Sequence, residues 1–187
     1  MTDMDKVLFV DSCIRSDSRT KRLAAKLLER IGGSVSSIDL KEPGVVPLSR
    51  IELEKRESLI ASRDYSDPMF DYAKAFAAAD VIVIAAPYWD LSFPSVLKVF
   101  IERTAVRGIT FTYTDDGVPV GLTRAKKLYY VTTMGAEGLP YDFGFGYVKA
   151  ISSMYFGIRD TELITAEGLD LDGNDTEKIL SAAEKKI

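Results

Sequence analysis

The stretch Ala85-Ala86-Pro87-Tyr88-Trp89-Asp90-Leu91-Ser92-Phe93-Pro94 decides the fold. It follows an unbroken apolar run, Val81 to Ala85, whose length and β-branched residues are typical of a strand buried on both faces. Such strands lie in the middle of parallel sheets, and a helical pattern begins directly afterwards at Ser95. The loop between them is therefore predicted at the carboxyl end of a central strand, where open α/β sheets bind their ligands.

Two large aromatic side chains and a carboxylate stand in this loop, between Pro87 and Leu91. We interpret this loop as part of the binding site for a flat, partly apolar ligand. The alternative is that Tyr88 and Trp89 only pack beneath the next helix, as buried aromatic residues commonly do.

Composition limits the classes of function. The chain has 187 residues, 47% hydrophobic and 28% charged, which is typical of one soluble globular domain. A net charge of -4 without a basic block argues against a nucleic-acid surface. No apolar run approaches the roughly 20 residues that span a bilayer, and the start, Met1 to Asp5, is acidic, unlike a signal peptide. We therefore expect a cytoplasmic protein that contacts neither nucleic acid nor membrane.

The sequence contains no histidine and one cysteine, Cys13. The absence of histidine excludes Ser-His and Cys-His nucleophilic pairs and histidine-ligated metal sites. A single cysteine cannot form an internal disulfide. No metal site is predicted. This composition favours chemistry supplied by a bound cofactor.

A second buried-strand pattern, Lys6 to Val10, is followed by a polar loop and by a helical pattern from Thr20 to Ile31. Hydroxyl groups gather in the loop and at the helix start, where free backbone N–H groups favour a phosphate. The loop lacks the glycine motifs of triphosphate and dinucleotide sites, so a monophosphate is predicted. Helix capping is the alternative explanation for these hydroxyls, which belong to Ser12, Ser16, Ser18 and Thr20.

The rest of the chain continues this alternation. Further strands are predicted at Val35 to Leu40, Lys127 to Thr133 and Asp160 to Thr165. A loop is predicted at Pro43 to Pro47, and helices at Ile51 to Ala61, Met69 to Ala79, Ser95 to Arg107, Tyr147 to Phe156 and Thr176 to Lys185. Together these patterns predict one α/β domain over residues 1–187, a doubly wound five-stranded parallel sheet with strand order 2-1-3-4-5.

An alternating stretch from Gly108 to Thr114, followed by Asp115-Asp116-Gly117, predicts a β-hairpin inserted after the third strand-helix unit. The alternation places Ile109, Phe111 and Tyr113 on one face. We expect this hairpin to serve a site or a partner. The alternative is an exposed hairpin covered by its own turn.

The fourth strand ends in a glycine-containing loop, Thr133 to Gly138, where a ligand can approach the backbone closely. Together with the loops after the first and third strands, this arrangement resembles the FMN-dependent NAD(P)H:quinone oxidoreductase and azoreductase family of the flavodoxin-like superfamily. The most specific similarity lies in Phe93 to Lys98 and in Arg107 to Thr114.

The resemblance implies three cofactor-binding loops and an aromatic pair. The loop for the FMN phosphate would comprise Ser12, Ser18, Arg19 and Thr20. The loop along the isoalloxazine edge would comprise Pro87, Tyr88, Trp89, Asp90 and Leu91. The loop at the pyrimidine end would comprise Thr133, Met134, Gly135 and Ala136. Substrate contacts toward the flavin of the other subunit in a homodimer would come from Phe111 and Tyr113.

The resemblance also implies a ping-pong reaction. NADH or NADPH would reduce FMN at N5, and a quinone, azo compound or similar flat acceptor would then take the electrons. The cofactor carries the chemistry, so no side chain is named as catalytic.

Two other classes remain open at this stage. Cys13 and Arg19 have the spacing of the loop of low-molecular-weight tyrosine phosphatases, in which a thiolate attacks phosphorus. A flavodoxin-like FMN electron carrier would bind the same cofactor without turnover of its own.

Overall fold

A computed structural model describes residues 5–42 and 45–187. The predicted loop from Pro43 to Pro47 therefore lies partly outside the described residues, as does most of the acidic start of the chain. Within the described ranges, no helix combines the length and the apolar content needed to cross a bilayer.

The described residues form a five-stranded parallel sheet and a separate two-stranded antiparallel sheet. The strands are β1 Lys6–Asp11, β2 Ser34–Asp39, β3 Val81–Ala85, β4 Phe111–Tyr113, β5 Pro119–Gly121, β6 Lys127–Thr133 and β7 Asp160–Ala166. The parallel sheet has the order β2-β1-β3-β6-β7. Counted along its own strands this is 2-1-3-4-5, so the predicted topology is confirmed.

Helices connect these strands. In the described part of the chain they are α1 Arg19–Ile31, α2 Arg50–Ser62, α3 Asp71–Ala78, α4 Ser95–Thr104, α5 Tyr147–Ile151 and α6 Thr176–Glu184. The predicted end of α4 at Arg107 is wrong, because Ala105 leaves the helical conformation and residues 106–110 form a turn. The helical segment around α5 begins earlier than predicted, with wide π-helical turns at Asp142–Gly146 and Ser152–Phe156.

Both faces of the parallel sheet are covered, as the apolar strands predict. One face packs against α1 and α6 through a cluster that includes Phe9 and Val83. The opposite face packs against α3, α4 and α5 through a cluster that includes Leu8, Ile82 and Ile84. Alternate residues of each strand therefore enter opposite layers of the core, which holds the strand ends and their loops in fixed positions.

The hairpin of β4 and β5 follows α4, which confirms the predicted insertion. It packs on the segment Ser152–Phe156, where the ring centroids of Phe111 and Tyr155 are 4.9 Å apart. Gly121 permits this approach, since a Cβ there would lie 2.2 Å from the carbonyl carbon of Phe156. Phe111 is consequently buried within its own chain, whereas Tyr113 is exposed.

Candidate functional site

A cleft of ≈ 200 Å³ opens at the carboxyl ends of the central strands. The sheet reverses its direction of winding here, between β1 and β3, which is where doubly wound folds bind ligands. Twelve residues line the cleft: Ile14, Arg15, Asp17, Ser18, Arg19, Thr20, Pro87, Tyr88, Trp89, Thr133, Gly135 and Asp170.

The N-terminus of α1 forms one end of the cleft. Ser18 is its N-cap, and the Ser18 hydroxyl accepts a hydrogen bond from the backbone N–H of Lys21 at 3.3 Å. N–H groups of the first helical turn have no partner within the helix, so they and the helix dipole favour an anion. The buried Thr20 hydroxyl lies 2.6 Å from the Thr133 hydroxyl and joins the first loop to the third.

Ser12 has a different position from the other predicted phosphate ligands. Its hydroxyl donates to the carbonyl of Ala85 at 2.8 Å, and the residue is fully buried. Ser12 therefore ties β1 to β3 beneath the loop and does not line the cleft. The predicted residues Ser18, Arg19 and Thr20 do line it.

The loop after β3 closes in a tight turn. Trp89 and Ser92 exchange backbone hydrogen bonds of 3.1 and 2.7 Å, and the two residues between them have positive φ, +48° at Asp90 and +67° at Leu91. Positive φ at both central positions is the requirement of a type I′ turn. The turn presents Trp89 to the cleft with 39% of its surface exposed, which favours ligand lining over packing beneath the helix.

Two hydrogen bonds hold Tyr88, the residue before Trp89, in place. The Tyr88 hydroxyl donates to the carbonyl of Pro140 at 2.9 Å, and the Tyr88 N–H donates to the carbonyl of Thr133 at 3.2 Å. Pro87 and Tyr88 line the cleft, whereas Asp90 and Leu91 do not. Asp90 instead lines a smaller adjoining pocket.

In the third loop, Thr133 and Gly135 line the cleft, but Met134 is buried and neither Met134 nor Ala136 is among the lining residues. Gly135 allows a close approach from the loop after β7, since a Cβ there would lie 2.3 Å from Asp170 Oδ2.

Sequence reasoning missed four lining residues: Ile14, Arg15, Asp17 and Asp170. Asp170 pairs with Arg19 at 2.8 Å, and Arg19 also donates to the carbonyl of Leu169 at 3.1 Å. The position of Asp170 after the fifth parallel strand was the available signal, because that strand ends at the same edge of the sheet.

The predicted aromatic pair does not reach this cleft within one chain. Phe111 and Tyr113 line pockets beside α2 instead.

The position of Cys13 argues against the phosphatase alternative. Its side chain is fully buried, with Sγ 3.7 Å from the carbonyl oxygen of Ala85. Burial raises the pKa of the Cys13 thiol to about 12. The group is therefore protonated at neutral pH and hidden from a phosphate ester, whereas that chemistry requires an accessible thiolate.

The cleft thus combines the N-terminus of α1, which favours an anion, and Arg19 with Pro87, Tyr88 and Trp89. This donor set fits a molecule that carries a phosphate and a flat ring system. FMN has both parts.

Comparison with known proteins agrees with the fold. A family model described as flavodoxin-like fold matches residues 5–187. The chain therefore belongs to this flavodoxin-like family.

Individual relatives carry more specific names than the family model. A protein of Clostridium perfringens named FMN-dependent NADH:quinone oxidoreductase is 34% identical over 194 residues, covering 98% of this chain and 97% of the relative. A protein of the same name from Coprothermobacter proteolyticus is 35% identical over 195 residues, covering 98% and 96%. The crystal structure of azoreductase from Bacillus anthracis is 25% identical with a TM-score of 0.80, covering 98% and 96%.

Proposed function

We propose that this chain is an FMN-dependent oxidoreductase that passes reducing equivalents from NADH or NADPH to quinones, azo compounds or similar flat acceptors. The observation that carries the proposal is the cleft, whose lining combines residues at the N-terminus of α1, including Arg19, with Tyr88 and Trp89. The names of the relatives support the same activity. We extend the proposal to one FMN-binding domain over residues 1–187.

The residues of the cleft divide into two binding roles. Ser18, Arg19, Thr20 and the first N–H groups of α1 would hold the phosphate. Pro87, Tyr88 and Trp89 would lie along the ring system. The remaining predicted contacts stay predictions: Ser12, Asp90 and Leu91, and at the pyrimidine end Thr133, Met134, Gly135 and Ala136.

Bound FMN would supply hydride acceptance from the nicotinamide and electron transfer to the acceptor, in two half-reactions of a ping-pong cycle. The side chains around it bind and orient. The Tyr88 hydroxyl is engaged with Pro140, and the Thr20 and Thr133 hydroxyls contact each other, so these groups fix the three loops in place. We assign no catalytic side chain.

The acceptor is a small molecule, and the protein would act as a cytoplasmic homodimer with the site at the interface. The exposed side chains of the hairpin support the dimer, because they are large and either apolar or aromatic. They belong to Tyr113, Val118, Val120 and Leu122. A dimer would also bring Phe111 and Tyr113 toward the other subunit's flavin.

The test is the visible spectrum of the purified protein reconstituted with FMN, recorded anaerobically before and after NADH and, separately, NADPH. We expect one FMN per chain, loss of the yellow colour with at least one donor, and its return when a quinone is added. Failure to hold FMN would contradict the proposal. Tight FMN binding without oxidation of either donor would instead indicate an electron carrier.

A further inference from the structure

The first turn of α1 carries two cationic side chains, and both are already paired with carboxylates. Arg19 Nη2 lies 2.8 Å from Asp170 Oδ1, and Lys21 Nζ lies 2.6 Å from Asp11 Oδ2. A phosphate at this helix end would therefore meet two cations whose charges are compensated by the protein itself.

The two carboxylates differ in their position. Asp11 is buried at the end of β1, and its second oxygen accepts from the N–H of Cys13 at 2.9 Å. Asp170 lines the cofactor cleft, and its side chain is 64% exposed. Of the two carboxylates, only that of Asp170 brings its negative charge to the wall of the cleft.

The charged side chains of the cleft lining balance one another. They belong to Arg15, Asp17, Arg19 and Asp170. Arginine is over-represented where proteins bind phosphate, but here each arginine of the lining is matched by an aspartate. The phosphate end of the cleft is therefore less attractive to an anion than its arginines alone would make it.

The backbone holds the carboxylate of Asp170 beside the cleft. The Asp170 N–H donates to the carbonyl of Gly135 at 3.1 Å, and the Leu169 N–H donates to the carbonyl of Met134 at 3.2 Å. A Cβ at Gly135 would lie 2.3 Å from Asp170 Oδ2, so the carboxylate rests directly against the third loop.

Arg19 can contact Asp170 and a phosphate at the same time. One of its N–H groups donates to Asp170 at 2.8 Å and another donates to the carbonyl of Leu169 at 3.1 Å. A guanidinium group has more N–H donors than these two contacts use. A phosphate therefore need not displace Asp170, and the two negative groups would share one cation.

We propose that Asp170 sets how strongly the cofactor cleft prefers a phosphorylated flavin over an unphosphorylated one. The inference rests on the proposed function, because FMN is the ligand. A phosphate monoester carries a charge of about −1.5 to −2 at pH 7, and its repulsion by the carboxylate lowers the affinity for FMN. Riboflavin has no phosphate, so Asp170 leaves its affinity unchanged. The consequence is a cofactor that dissociates more readily than the donors of the cleft alone would allow.

The substitution Asp170→Asn separates charge from position. The amide oxygen can still accept a hydrogen bond from Arg19, but the negative charge is removed. Asp172→Asn is the matched control, because Asp172 belongs to the same loop, is exposed and does not line the cleft.

The experiment is equilibrium dialysis of the full-length protein against FMN and, separately, against riboflavin, at about 0.01 M and about 1 M salt, where the Debye lengths are about 30 and 3 Å. We expect Asp170→Asn to bind FMN about three- to tenfold more tightly than the parent protein at low salt. The gain should shrink at high salt, and riboflavin affinity should stay unchanged, which also shows that the variant is folded. Asp172→Asn should bind both flavins like the parent protein.

The proposal is overturned if Asp170→Asn binds FMN no more tightly than the parent protein, or if its affinities for FMN and riboflavin change by the same factor. Weaker FMN binding by this variant would also overturn it, and would show that Asp170 serves to position Arg19. A parent protein that binds no FMN contradicts the proposed function as well. FMN binding by the parent without a gain in Asp170→Asn contradicts the present inference alone.

Discussion

Leu91 has its backbone in the left-handed region, with φ +67°, although it is neither glycine nor a short polar residue. This conformation costs an L-residue about 1–2 kcal/mol, and the side chain is 45% exposed, so little burial offsets the cost. We expect Leu91→Gly to raise the free energy of unfolding by up to about 1 kcal/mol. This gain is the backbone strain that the substitution relieves, minus the conformational entropy that glycine loses on folding. Urea denaturation of the cofactor-free protein measures the change.

The matched control for Leu91→Gly is Leu53→Gly. Leu53, in the interior of α2, is 43% exposed, but its φ is not positive. Here the substitution should lower the free energy of unfolding by about 0.5–1 kcal/mol. Equal losses in both variants would show that Leu91 is not strained.

Among the elements, α1 carries the proposed phosphate site at its N-terminus, and Ser18 is its cap. Ser18→Ala should lower the free energy of unfolding by about 1 kcal/mol through loss of the cap. It should also weaken FMN binding several-fold without changing riboflavin binding, because only FMN has the phosphate. Equilibrium dialysis of both flavins measures this difference.

Helix α6 provides the comparison for α1. Asp175 caps it by accepting from the N–H of Lys178 at 3.0 Å. Asp175→Ala should destabilise the protein by a similar amount and leave FMN affinity unchanged. If the two cap variants bind FMN equally, the α1 terminus is not the phosphate site.

Elements were more predictable from the sequence than individual contacts. The apolar run Val81 to Ala85 and the segment Lys127 to Thr133 were assigned with their observed bounds, because strands buried on both faces leave a clear pattern. The direction of the Ser12 hydroxyl could not be predicted, since a serine after a strand can turn to the backbone or to a ligand. The pairing of Arg19 with Asp170 joins residues 151 positions apart, and only the tertiary fold reveals it.

At the level of the whole molecule, the proposed homodimer depends on the exposed face of the hairpin. Val120 in β5 is 43% exposed. A lysine there would introduce a charge into an apolar interface, so we expect Val120→Lys to shift the protein from dimer to monomer in sedimentation velocity and to lower quinone turnover. Val35→Lys on the edge strand β2, where Val35 is 44% exposed, should change neither. A monomeric parent protein would contradict the proposal.

The position of Trp89 at the mouth of the cofactor cleft has a practical consequence. It is the only tryptophan in the sequence, so the intrinsic emission of the folded chain excited near the red edge of protein absorption comes from one indole beside the proposed flavin. A flavin bound there would quench that emission by energy transfer. The protein therefore carries its own optical reporter of cleft occupancy, without any added label.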